Sequence, residues 1–275
     1  MMLHPRLGCS TISFRHMDLP AALETIAGLG FAEIDLGALP GVCDHVPYIL
    51  DEPAVAGVAN TVAASGLRVR SINGDIGDLN RPLGTQERSE RTRHLDMLLA
   101  LAEQTGAQAL VLPCGALARN PVVTLEDVLD LVAAEITAAA ARAAAAGVEI
   151  WTESLHFFRL CHDIDRAQQL TDRLAGTDVR LVMDLSHIVA SGGSPEDFIN
   201  RFHERIAHVH LRDAVPGDIN LSIGNGQADF AAGLKALADK GYTGHFSLEL
   251  ETRDATNEDR PAATARAANF ITNLI

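Results

Sequence analysis

The feature that most constrains this chain is an eightfold alternation, in which short apolar runs and longer amphipathic segments succeed one another from end to end. Runs bounded by turn residues predict strands at 7–14, 32–37, 68–73, 108–113, 148–153, 180–184, 206–211 and 245–250. The longer period predicts helices near 19–29, 51–65, 85–105, 124–146, 164–175, 195–204, 229–240 and 260–274. Gly30, Gly66, Gly106, Gly147 and Gly241 stand where a helix should end in left-handed backbone. Ser194-Pro195-Glu196 has the form of a capping serine with proline at the first helical position. Eight strands each followed by a helix is the count of a closed parallel (β/α)8 barrel. An open, doubly wound sheet is the competitor, because periodicity does not show closure. No linker or composition break divides the 275 residues, so one TIM-barrel domain over 1–275 is expected.

Polar residues recur at the predicted C-terminal strand ends. The fifth strand ends in Glu153, the sixth in Asp184, the seventh in His208 and His210, and the eighth in Glu249 and Glu251. Each group follows the last by about one strand-helix unit, so a barrel would bring them around one rim. Side-chain alternation puts His208 and His210 on one face, and likewise Glu249 and Glu251, so periodicity cannot choose within either pair. Oxygen ligands with one imidazole suit a hard divalent ion, Mn2+ first, with Mg2+ or Co2+ close behind and Zn2+ also compatible. Each residue alone has a plainer role, as a rim ion pair, a helix cap or a core histidine. Recurrence at matching strand ends is what favours one metal site.

Composition removes other classes. The formal net charge is −14, and no basic run appears, which argues against a general nucleic-acid or anionic-membrane surface. Cys9, Cys43, Cys114 and Cys161 lack metal-knuckle spacing and are expected to be reduced, buried thiols of a cytoplasmic protein. Neither a signal-peptide pattern nor an apolar run long enough for a membrane span is present. His45, with Asp44 and Tyr48, lies in the long stretch 38–50 after the second strand, from which it could reach a substrate. Trp151 shares a face with Glu153 and is expected inside the barrel, whereas His16, His94, His203, Arg88, Arg91 and Arg93 are expected on solvated faces.

The segments GFAEIDLG (30–37), VEIWTESLH (148–156), VMDLSHI (182–188), HVHLRD (208–213), IGNGQADF (223–230) and GYTGHFSLELE (241–251) resemble the sugar phosphate isomerase/epimerase superfamily of xylose isomerase-like barrels. That resemblance implies His210 and Glu249 as the ligands within their pairs, joining Glu153 and Asp184. It implies substrate contacts for His156, His187 and Arg212, and supporting places behind the ligands for Asp213 and His208. IGNGQADF is expected to shape a loop. The function implied is metal-dependent isomerisation or epimerisation of a small keto-sugar or polyol derivative. An α-proton would leave to give a metal-stabilised enediolate, with Glu153 and Glu249 as acid and base. A lyase of the same architecture, an inosose-type dehydratase or keto-glycoside eliminase, is the alternative, and a non-catalytic carbohydrate-binding barrel a minor one. Relatives allow a dimer or tetramer. The distant endonuclease members use three metals and extra histidines, which Asn73 and Pro113-Cys114 do not supply here.

Overall fold

The computed structural model describes residues 2–275. Seven parallel strands come first: β1 (Leu7–Ser10), β2 (Glu33–Ala38), β3 (Arg68–Gly74), β4 (Ala109–Pro113), β5 (Glu149–Glu153), β6 (Arg180–Asp184) and β7 (Ile206–Leu211). A small antiparallel hairpin follows, β8 (Asp213–Val215) with β9 (Asp218–Leu221), and β10 (His245–Leu248) closes the barrel between β7 and β1. Closure removes both sheet edges and settles the competition with an open sheet. The helices are α1 (Leu19–Gly28), α2 (Glu52–Ser65), α3 (Thr85–Thr105), α4 (Leu125–Ala145), α5 (Ile164–Arg173), α6 (Leu185–Ala190), α7 (Pro195–Phe202), α8 (Phe230–Asp239) and α9 (Arg260–Thr272).

Local chemistry sets the boundaries. Asp18, Asp51, Thr124, Asp163 and Ser194 each accept a backbone N–H two or three residues into the helix they precede. Such a cap contributes about 1 kcal/mol. All five glycines expected at helix ends have φ between +68° and +91°, a region costly for any side chain. The first strand is shorter than its apolar run. After Ser10 the chain turns into a 3-10 helix, Thr11–Phe14, because Ser13 Oγ donates to Leu248 O and accepts from Leu250 N, tying the turn to the end of β10. The six-residue α6 and the β8–β9 hairpin are too short to show in the periodicity.

Two apolar layers result. The main core lies between sheet and helices, while a small cluster of Ala109, Val111, Trp151 and Val182 fills the barrel axis. Trp151 is inside, as expected, and its indole N–H donates to Glu149 Oε2 at 2.8 Å. The register pairs Asp184 with His210 and Ser247 with His210, so the ends of β6, β7 and β10 reach one level. Among the described residues the four cysteines are free and buried, and no helix is long and apolar enough to cross a membrane.

Candidate metal centre

At that level Glu153, Asp184, His210 and Glu249 offer one ligand atom each, all within 4.8 Å of one another. Each is held differently. Asp184 divides its carboxylate: Oδ1 caps α6 by accepting from the Ser186 and His187 amides and from Ser186 Oγ, while Oδ2 faces the cluster. Glu249 Oε1 accepts from Asn73 Nδ2 at 2.8 Å, and Oε2 stands 3.4 Å from His210 Nδ1. Glu153 Oε1 is buried without a hydrogen-bond partner, 3.9 Å from the same nitrogen. Two of these carboxylates face the guanidinium of buried Arg212, whose Nη2 lies 3.4 Å from Asp184 Oδ2 and 3.9 Å from Glu249 Oε2.

The electrostatics ask for a cation. Burial pushes the Glu153 carboxyl up to about 7; His210 opposes that push, and Asp184 and Glu249 add to it. His210 is held well above the ordinary histidine value because Glu249, Asp35 and Glu153 overcome the effect of its burial. Orphaned buried oxygens, an imidazole with a free nitrogen and excess negative charge fit a divalent ion, which would take up the atoms left without partners.

Asp35 was not legible as a site residue. It sits mid-way along β2, fully buried, where burial alone would raise its carboxyl; His208 and His210 instead hold it well below the usual range. Its Oδ2 lies 2.8 Å from His208 Nε2 and 3.5 Å from His210 Nε2, and Ser71 Oγ donates to its Oδ1. His210 therefore turns Nε2 to a carboxylate and Nδ1 to the ligand cluster, the arrangement that fixes a metal-binding imidazole. The only clue in the sequence is an acid inside an apolar strand, which must be paired to be tolerated.

His156 and His187 stand beside Glu153, their rings 4.0 Å apart. The Phe157 amide donates to His187 Nδ1 at 3.0 Å and the Phe158 amide to His156 Nδ1 at 3.3 Å. Each proton therefore sits on Nε2, 3.6 Å and 3.8 Å respectively from Glu153 oxygens. Burial and then neighbouring positive groups keep both rings well below the usual histidine range, hence neutral. Glu153, His156 and His187 also lie close enough together to hold an ion, but the two Nε2 atoms carry protons, so the two imidazoles form a donor wall beside the Glu153 carboxylate.

The other residues singled out in the sequence make a variety of contacts. His45 spends both ring nitrogens on Cys43 Sγ and Met17 O, pinning the loop after β2 to the end of the 3-10 turn, and the structure does not bring it to the ligands. Asp213 accepts the backbone N–H groups of Ala214, Gly224, Gly226 and Ala228, so its carboxylate organises the glycine-rich loop. A Cβ on Gly226 would stand 2.2 Å from Asp213 Oδ1. Arg212 donates to Ser186 Oγ and Glu251 Oε2 besides facing Asp184. Tyr48 is 70% exposed. His16 is exposed, but His94 and His203 are half-buried, and Arg91 turns inward to Ile76 O, Asp78 O and Glu135 instead of lying on an outer face.

Comparison with known proteins bears on the family and the fold. Inosose dehydratase of Clostridium botulinum is 31% identical over 107 residues, 32% of this chain and 35% of that protein. A Mycobacterium tuberculosis protein of uncharacterised activity is 31% identical over 102 residues, and the matched segment spans 36% of each chain. This chain thus aligns with only about a third of the length of these curated relatives. In fold, it resembles D-psicose 3-epimerase of Clostridium cellulolyticum, solved with D-tagatose, at a TM-score of 0.80 and 15% identity over 98% of this chain and 99% of that one. The IOLI protein, solved with a zinc atom, superposes at 0.78 with 17% identity and the same coverage. A family model described as the xylose isomerase-like TIM barrel matches residues 23–274, and the chain belongs to that family.

Proposed function

We propose that the protein is a divalent-metal-dependent isomerase or epimerase that moves a proton beside the carbonyl of a small keto-sugar or polyol derivative. Glu153, Asp184, His210 and Glu249 would hold the ion, with Mn2+ the first candidate. The observation that carries this reading is the placement of two carboxylates. Glu153 on β5 and Glu249 just beyond β10 flank Asp184 and His210 from two sides of the rim. The ion would supply fixed positive charge to the oxyanion that forms as the proton leaves. Glu153 and Glu249 would take the proton on one face and return it on the other, which inverts a carbon. Return to the neighbouring carbon would instead exchange aldose for ketose. Asn73 holds one oxygen of Glu249, so that acid/base group is oriented before substrate arrives.

A second reading, elimination, is favoured by the two Nε2–H groups beside Glu153, because a departing hydroxyl needs a proton donor and His156 or His187 could provide one. The inosose dehydratase likeness points the same way. The test is NMR of ketoses, keto-inositols and 3-keto-glycosides incubated with Mn2+-loaded protein in D2O. Deuterium beside the carbonyl, absent with Glu249→Gln, supports proton transfer, and an unsaturated product moves the reaction to the lyase branch. Near-normal turnover in both Glu153→Gln and Glu249→Gln would sink the two-carboxylate mechanism.

A further inference from the structure

Of the two acids that the sequence pattern puts together at the end of the last strand, Glu249 enters the ligand cluster and Glu251 does not. Glu251 lies just beyond β10, half-buried, and its main-chain N–H donates to Glu249 O at 3.1 Å. Its carboxylate is divided between two arginines. Oε1 accepts from Arg15 Nη1 at 2.6 Å, and Oε2 accepts from Arg212 Nη1 at 3.2 Å. Arg15 ends the 3-10 turn, and its Nη1 also donates to Val42 O, 3.4 Å away in the loop after β2. The segments that follow β1, β2, β7 and β10 therefore meet around this one side chain.

Arg212 carries that contact to the ligands. It is 1% exposed, and each guanidinium nitrogen has its own neighbour. Nε donates to Ser186 Oγ at 3.1 Å, Nη1 goes to Glu251, and Nη2 is the nitrogen that faces Asp184 Oδ2 and Glu249 Oε2. Burial works against its charge, but Asp184, Glu249 and Glu251, in that order, hold the guanidinium above its ordinary value. A fixed cation thus competes for two of the oxygens that a divalent ion would use. A buried charge left short of counter-charge is costly, so it leans on whatever opposite charge is within reach. Glu251 supplies counter-charge at Nη1, the nitrogen that does not face the ligands.

We propose that Glu251 is a positioning residue of the metal centre. By engaging Nη1 and balancing the charge of Arg212, it leaves the carboxylates of Asp184 and Glu249 available to a divalent ion. This rests on the proposed ligand set, but its test reads metal affinity and needs no substrate.

The test is titration with Mn2+ against a chelating dye, on the parent, Glu251→Gln, Arg212→Met and the double variant. Glu251→Gln keeps the size of the side chain and loses its charge, and it should weaken Mn2+ binding roughly tenfold. In the Arg212→Met background the same substitution should change affinity by no more than about twofold, because Glu251 acts through the guanidinium. Equal weakening in both backgrounds would mean that the carboxylate acts on the ion directly, and it overturns the proposal. So does no weakening in the parent, in which case the proposed ligand set and reaction still stand. A second comparison guards against an Arg212→Met protein that does not fold. The affinity ratio of parent to Glu251→Gln should be the same in about 0.05 M and about 0.5 M KCl, since a buried guanidinium is little screened. A ratio that collapses in high salt marks a through-solvent effect and overturns the proposal. Absence of Mn2+ binding, or binding that survives Asp184→Asn, removes the ligand set and this role together. An Arg212-dependent loss of affinity, with no proton exchange on any ketose, supports the role of Glu251 and removes the proposed reaction.

Discussion

The two ends of the barrel bury charge in opposite ways. At the N-terminal end Glu33 is met by Arg70 at 2.8 Å and by His245 at 2.7 Å, with Arg68 further out. Arg70 goes on to Gln108, Gln108 to Glu149, and Glu149 to Trp151, so this chain of polar groups runs on without a gap. At the C-terminal end Arg212 stands within ion-pair distance of Asp184 and Glu249 but not of Glu153, and Glu153 Oε1 and His210 Nδ1 lack hydrogen-bond partners. The first arrangement is what a group needs when its task is to be stable. The second stores unfavourable energy in a place where a ligand can release it. Conserving chemistry at one end and stability at the other is a general division of labour in such barrels.

That contrast can be broken by experiment. The largest effect is expected from Glu249→Gln, which should lower proton exchange by roughly 10³-fold while leaving the melting temperature unchanged or higher, since one of several like charges disappears. Loss of stability with activity retained would erase the distinction. Glu33→Gln should do the opposite. Removing one partner of a buried pair costs about 3 kcal/mol, read as a shifted denaturant midpoint, with exchange rates per folded molecule intact. Mn2+ at about 100 times its Kd should add about 2.7 kcal/mol to stability in the parent, an increment that Asp184→Asn should abolish and Glu33→Gln should preserve. Asp35→Asn should weaken Mn2+ binding by about 10- to 100-fold, measured by competition with a chelating dye, because His210 loses the carboxylate that orients it.

The smallest effect concerns acid. Burial would raise the Glu33 carboxyl, but His245 and Arg70 hold it below its ordinary value. The unfolded chain therefore binds this proton more readily than the folded one, so the stabilisation is complete above the unfolded carboxylate value and fades as pH falls through the lower folded value. Melting curves taken across that range should fall less steeply for Glu33→Gln than for the parent. Parallel acid limbs would remove Glu33 from the account.

What could be read beforehand follows the same division. The barrel was legible because eight repeats of one unit leave a period in the sequence, and the proposed ligand set because polar residues recur once per unit, with the resemblance choosing His210 over His208 and Glu249 over Glu251. Asp35 and Asn73 were not singled out as site residues. Their roles arise from contacts between strands far apart in the chain, such as Asn73 with Glu249 or Asp35 with His208, and no period marks such meetings. His45 illustrates the converse. A histidine on a long loop at the functional end looks available until the fold shows its two nitrogens already engaged. The roles of Asp213 in the glycine-rich loop and Arg91 in the β3–α3 loop were hidden for the same reason.

The protons on His156 and His187 are placed by the main-chain amides of Phe158 and Phe157, two consecutive residues of one loop. An instruction written in the backbone is not erased when a side chain mutates. Position 158, whose ring is exposed, can thus change shape and polarity to anything but proline while the tautomers behind it stay as they are. A barrel built this way can drift toward new substrates by trading loop side chains without rebuilding its proton chemistry each time, which makes it a forgiving starting point for selection or for design.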